Sequence, residues 1–213
     1  MTEARAPLAA ILAGGHSRRY GSPKTFATVG DSTLLARVLL AAAGAADRVI
    51  VNANDPADFA HLGLPIVADR LPGCGPLSGV HAVLHWAAER GLSGALCIAC
   101  DLPFVPSGLL REIAALGAGD DFDAVAPVGP DLVVQPLCAY YSVRCIPGIE
   151  GRLARRELPM RALLDSVRVR TLPLEAVRRW GDPAVVLLNV NTPEDGRRAR
   201  EIADSAPFRP TGA

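Results

Sequence analysis

Four times between residues 8 and 118, a short apolar run gives way to a segment of helical period. The runs at 8–12, 48–51, 65–68 and 94–100 are too short for helices and are bounded by Gly, Asn or Asp, so they read as strands. Between them, Leu34, Leu35, Val38, Leu39 and Ala42 repeat at helical spacing after a cap at Asp31 or Ser32, with Gly44 as the stop. A short helix is predicted at 56–62, one from the 72–79 loop to about residue 90, and one capped by Ser107 to about residue 118. Such alternation means βαβ units: a three-layer, Rossmann-like, mostly parallel α/β sheet with helices on both faces. Ligands of these sheets sit beyond the carboxyl ends of the strands. Here those ends carry Gly14-Gly15, Asn52, Asp69 and Asp101.

The second half is less regular. Strands are predicted at 123–127, 133–141 (interrupted by Pro136), 168–172 and 185–189, and helices at 149–156 and 160–166. Thr192, Pro193, Glu194 and Asp195 form a clear helix start. Residues 1–204 are expected to form one domain, with 205–213 a disordered tail. With a formal net charge of zero, nothing suggests a polyanion-binding surface, so no nucleic-acid partner is expected and any attraction for phosphate must be local. No apolar run approaches the ~20 residues of a membrane span and no signal peptide is evident, which makes the cytoplasm the expected location. An odd number of cysteines, 5, in apolar surroundings points to reduced thiols.

The segment after the first strand carries the most chemistry. Gly14-Gly15 ends the strand abruptly, and Arg18, Arg19, Gly21 and Lys24 follow. Glycine lets backbone N–H groups approach an anion, while arginine and lysine bring charge to phosphate oxygens. Of 22 basic residues all but Lys24 are arginine, which marks Lys24 as a place where geometry needs an ammonium. The loop is not a Walker A motif, because Ser22-Pro23 separates Gly21 from Lys24, nor a dinucleotide fingerprint, because GxGxxG is absent.

Asp101 emerges from an apolar strand at the active edge, where a carboxylate suits Mg²⁺ better than a mere turn. Asp69 either accepts hydrogen bonds from a nucleobase or ribose or is a solvated loop carboxylate. Asn189 and Asn191, alternating with Val190, either complete a metal site or hold a second substrate, or else serve turn chemistry. His81 and His85 are four apart on a helix, a spacing that can bind zinc. The HExxH glutamate is missing and no third ligand presents itself, so they read as ordinary helix histidines. Arg152, Arg155 and Arg156 read as a solvated face. Strand period two sends Cys97 and Cys100 to opposite faces, so they share neither a disulfide nor a metal.

The stretch Leu-Ala-Gly-Gly-x-Ser-x-Arg-x-Gly-x-x-Lys at 12–24, Val51 to Asn54, Asp69, Gly75 to Gly79, Cys100 to Phe104, Gln135-Pro136-Leu137 and Asn189 to Glu194 resemble, in order, the motifs of molybdenum cofactor guanylyltransferases. The resemblance spans nearly the whole chain. Two positions depart from it: Tyr20 stands where methionine is usual, and Pro23 where an acid often precedes the lysine. It implies a nucleotidyltransferase of the nucleotide-diphospho-sugar transferase type, transferring GMP from GTP to the terminal phosphate of molybdopterin with release of pyrophosphate. Leu12, Ala13, Gly14, Gly15, Lys24, Asn52, Asp69 and Asp101 would bind the nucleotide, with Asp101 also on Mg²⁺ and Lys24, Arg19 and Asp101 catalytic. Gln135, Pro136, Asn189 and Asn191 would lie toward molybdopterin. Partners implied are the two substrates and, transiently, molybdenum-insertion proteins or client molybdoenzymes, with no membrane. The rival readings are a cytidylyltransferase or a sugar- or alcohol-phosphate nucleotidyltransferase of the same fold, and a nucleotide-binding adaptor without turnover. Leu-Ala-Gly-Gly, where Leu-Ala-Ala-Gly is the other form, leans toward guanine.

Overall fold

A computed structural model describes residues 8–14, 24–119 and 121–205. In chain order its elements are β1 (Leu8–Leu12), β2 (Thr28–Val29), β3 (Ser32–Thr33), α1 (Leu34–Ala43), β4 (Arg48–Asn52), β5 (Ile66–Val67), α2 (Pro76–Ala88), β6 (Gly94–Ala99) and α3 (Ser107–Ala118). They continue with β7 (Ala124–Pro127), β8 (Cys138–Ser142), α4 (Ile146–Arg155), α5 (Met160–Leu164), β9 (Val169–Leu172), α6 (Leu174–Arg178), α7 (Pro183–Val186) and α8 (Pro193–Ser205). Seven strands form one sheet in the order β5–β4–β1–β6–β8–β7–β9. It is parallel except at β8, which runs against both neighbours.

The central strands are buried on both faces, which is why they read as continuous apolar runs. In β1, Ala9 and Ile11 enter one core with α1 and α3, whereas Leu8, Ala10 and Leu12 enter the other with α2 and α4. β6 divides the same way, Leu96 and Ile98 against Ala95 and Cys97. Cys97 and Cys100 accordingly lie against opposite cores. Each fully buried Leu, Ile or Val contributes about 1.5–3 kcal/mol, so the two cores dominate stability.

Differences from the sequence reading have local causes. The α1 cap is Thr33, whose Oγ1 accepts from the Ala36 N–H at 3.1 Å. Ser32 instead pairs in the β2–β3 hairpin, and Asp31 meets the buried Arg37 at 3.3 Å. The expected strand at 133–141 begins only at Cys138; before it, Val134 makes an isolated bridge to Val128. Residues 185–189 form no strand. Asp182 accepts from the Ala184 N–H at 2.9 Å and Pro183 takes the first helical position, so capping chemistry overrides the β-branched Val185-Val186 pair. Arg156 leaves α4 in the left-handed conformation, and Arg152 and Arg155 both pair with Glu157. The expected tail lies, beyond Ser205, outside the described residues.

Candidate active site

From β1 the chain moves to β4 and β5 on one side, then returns to β6 on the other. The connections diverge at the carboxyl ends of β1 and β6, which opens a crevice there. A pocket fills this position. Its wall comprises Leu12, Ala13 and Gly14 after β1, Asn52 at the end of β4, Asp69 after β5, Gly75 and Pro76 at the start of α2, and Ala99, Cys100 and Asp101 after β6. Thr25, Leu137 and Asn191 complete it.

Asn52 ties these loops together. It is 2% exposed, and its Nδ2 donates to the Val67 carbonyl and to Oδ1 of Asp69, both at 3.0 Å. Asn54 Nδ2 donates to the other Asp69 oxygen at 2.9 Å, and Asn54 Oδ1 accepts from the Asp69 N–H at 2.9 Å. Asp69 is therefore held by two amides, and each carboxylate oxygen keeps a lone pair for a further donor. The Asn52 carbonyl accepts from the Ala13 N–H at 2.9 Å, fixing the chain as it leaves β1. On the α2 side a Cβ at Gly79 would collide with Oδ1 of Asn52, so only glycine lets the helix approach this closely. Gly75, the α2 N-cap, has φ 64°, a conformation that also favours glycine.

Across the crevice, the Asp101 carbonyl accepts from the Val190 N–H at 2.9 Å, which brings Asn191 to the same pocket. Asn191 is set in turn by the α8 capping box. Asp195 Oδ2 accepts from the N–H groups of Asn191 and Thr192 at 2.9 and 2.8 Å, and Thr192 Oγ1 accepts from the Asp195 N–H at 3.1 Å. The carboxylates of Asp69 and Asp101 and the side-chain amide of Asn191 line one pocket and offer hard oxygen donors, a set that fits Mg²⁺ or Mn²⁺.

Of the residues singled out in the sequence, Leu12, Ala13, Gly14, Asn52, Asp69, Asp101 and Asn191 converge on this pocket. Gly15, Arg18, Arg19 and the side chain of Lys24 lie outside the described residues; the Lys24 backbone opens a 3-10 turn, Lys24–Phe26. Gln135, Pro136 and Asn189 are not in the wall. Gln135 Nε2 donates to the Val133 carbonyl at 3.4 Å, the Pro136 carbonyl accepts from the Tyr141 hydroxyl at 2.7 Å, and Asn189 Nδ2 donates to the Leu187 carbonyl at 3.4 Å. Thr25 is a wall residue the sequence reading missed. Its buried hydroxyl lies 3.7 Å from Cys100 Sγ, and its place directly after Lys24 was the available signal.

The family model described as "MobA-like NTP transferase domain" matches residues 9–171. A probable molybdenum cofactor guanylyltransferase of Pelotomaculum thermopropionicum is 37% identical over 196 residues, covering 92% of this chain and 93% of that protein. A molybdenum cofactor guanylyltransferase of Desulfosudis oleivorans is 33% identical over 190 residues, covering 89% and 92%. The crystal structure of molybdopterin-guanine dinucleotide biosynthesis protein A from Archaeoglobus fulgidus superposes with a TM-score of 0.78 at 26% identity, covering 93% of this chain and 99% of that one. The sheet order, the crevice and these likenesses define a nucleotidyltransferase. Within that class, the chain belongs to the MobA-like NTP transferase family.

Proposed function

We propose that this protein transfers GMP from GTP to the terminal phosphate of molybdopterin, forming the guanine dinucleotide cofactor and releasing pyrophosphate. The observation that carries this reading is the pairing of two carboxylates across one crevice. Asp69 is held by Asn52 and Asn54 on one side, and Asp101 stands at the carboxyl end of β6 on the other. The names of the relatives supply the acceptor.

Guanine carries two adjacent donors, N1–H and the exocyclic amine. Asp69, with a lone pair left on each oxygen, accepts both, and the backbone at Leu12 and Ala13 positions the base and ribose. Gly14 and Gly15 admit the triphosphate, whose charge Lys24 and Arg19 neutralise. A phosphate oxygen of molybdopterin attacks the α-phosphorus, the bond to the β-phosphate oxygen breaks, and pyrophosphate leaves. A phosphate monoester is already anionic near neutral pH, so no base is required; the described wall of the pocket contains neither His nor Glu. Catalysis is positioning and charge neutralisation.

Asp101, with Asn191 beside it, would hold Mg²⁺, since their oxygens match that ion's preference. When bound, the ion neutralises charge on the triphosphate. On this reading Gln135, Pro136 and Asn189, outside the pocket wall, would face molybdopterin. Use of GTP, together with five cysteines none of which is in a disulfide, supports a cytoplasmic setting. Residues 1–204 act as one nucleotidyltransferase unit. The test is incubation with Mg²⁺, GTP and molybdopterin. Equimolar pyrophosphate and guanine dinucleotide are expected; GTP turnover to GDP and phosphate with no dinucleotide would refute the reading.

A further inference from the structure

Away from the crevice, the fold supplies what the sequence around His81 and His85 lacked. Glu150, on α4, faces both histidines of α2. His81 Nε2 and His85 Nε2 lie 3.1 Å apart, and Glu150 Oε1 is 3.4 Å from the first and 3.2 Å from the second. Hydrogen bonds alone cannot satisfy this triangle. Each ring nitrogen offers either one proton or one lone pair, and the carboxylate oxygen only accepts. If both nitrogens carry protons, the short edge between them sets donor against donor. If either does not, its edge to Glu150 sets lone pair against lone pair.

A single cation satisfies all three edges at once. Ligands about 2.0–2.1 Å from a tetrahedral zinc-type ion lie about 3.3–3.4 Å from one another, close to the spacing seen. We propose that His81, His85 and Glu150 form a site for one divalent transition-metal ion of the zinc class. The ion joins α2 to α4, and its fourth position faces solvent across the half-exposed Glu150. The donor set, two imidazoles and a carboxylate, suits Zn²⁺, Co²⁺ or Ni²⁺ and disfavours Mg²⁺. No described group hydrogen-bonds the buried Nδ1 of His81. Lack of such an outer partner lowers affinity roughly 10–100-fold, which makes this an exchangeable site rather than a permanent staple.

The test uses the full-length protein, stripped with chelator and kept in a non-thiol reductant, titrated with Zn²⁺ and separately with Co²⁺. Wild type should bind one equivalent, with a visible Co²⁺ spectrum of tetrahedral N/O character and no sulfur charge-transfer band. A hundredfold excess of Zn²⁺ over Kd should raise Tm by about 5–10 °C. His85→Gln and Glu150→Gln, both at partly exposed positions, should each weaken binding at least ~10-fold. Asp101→Asn should leave this binding unchanged. No binding by wild type, undiminished binding by both variants, or a thiolate spectrum would overturn the assignment.

Discussion

The side-chain amide of Asn52 donates to Oδ1 of Asp69 at 3.0 Å, from a position that is itself 2% exposed. A buried amide thus aims a carboxylate into the pocket, and the same amide nitrogen holds the Val67 carbonyl. Asn52→Ala leaves both acceptors without that donor, which costs about 1–3 kcal/mol. Thermal melts should show the loss, with KM for GTP raised more than kcat is lowered. Asn54→Ala, at an exposed position, should cost less, because water replaces the lost donor.

Gly79→Ala separates packing from helix propensity. In an open helix the change would stabilise by about 0.5–1 kcal/mol. Here the new methyl meets Asn52 Oδ1, so the sign should reverse. A lower Tm together with a raised KM for GTP is the expected result. A higher Tm with unchanged kinetics would show that the helix and Asn52 do not constrain each other.

Asp123 gives a pH-dependent prediction. The Arg168 side chain, and then its backbone N–H, hold the Asp123 carboxyl below its ordinary value, and Arg144 donates to it at 2.9 Å. A depressed folded pKa gives stability that is present above the unfolded value, near 4, and lost as pH falls through the folded one. Asp123→Asn should therefore lower the urea midpoint at pH 7, with the gap to wild type closing below about pH 4. A constant gap across that range would place the effect in packing.

Much of this architecture was legible because it is local. The apolar run of β1 and the Thr192-Pro193 start of α8 each state their structure within a few residues. So did the opposite facing of Cys97 and Cys100, which needs only strand period. What escaped depended on distant partners or on competing local rules. Val185 is β-branched and apolar, yet Asp182-Pro183 commits it to a helical turn. Glu150 lies on a different helix from His81 and His85, and nothing in their spacing announces it. Asn52 was legible as a strand-end residue, but its grip on Asp69 and its contact with Gly79 exist only once β4, β5 and α2 are assembled.

Lys24 tests the argument from a lone lysine among arginines. Lys24→Ala should lower kcat/KM by roughly a hundredfold, equivalent to about 3 kcal/mol of transition-state stabilisation, with little change in Tm. Lys24→Arg should also be impaired, since a planar fork does not replace a point charge on a flexible stem. Steady-state kinetics on both variants decide it; full activity in Lys24→Arg would contradict the argument.

Base choice separates guanylyl transfer from transfer of any other nucleotide. In the pose of guanine, adenine and cytosine each present an acceptor in place of N1–H and no donor in place of the exocyclic amine, so the lone pairs that Asn52 and Asn54 leave on Asp69 stay unmatched. Unpaired buried groups cost about 1–3 kcal/mol each, and two of them give discrimination of several hundredfold. The measurement is kcat/KM for GTP, CTP and ATP with molybdopterin as acceptor, in wild type and in Asp69→Ala. GTP should be preferred by at least ~100-fold in wild type, with most of that preference lost in the variant. Equal use of CTP by wild type would contradict the guanylyltransferase account.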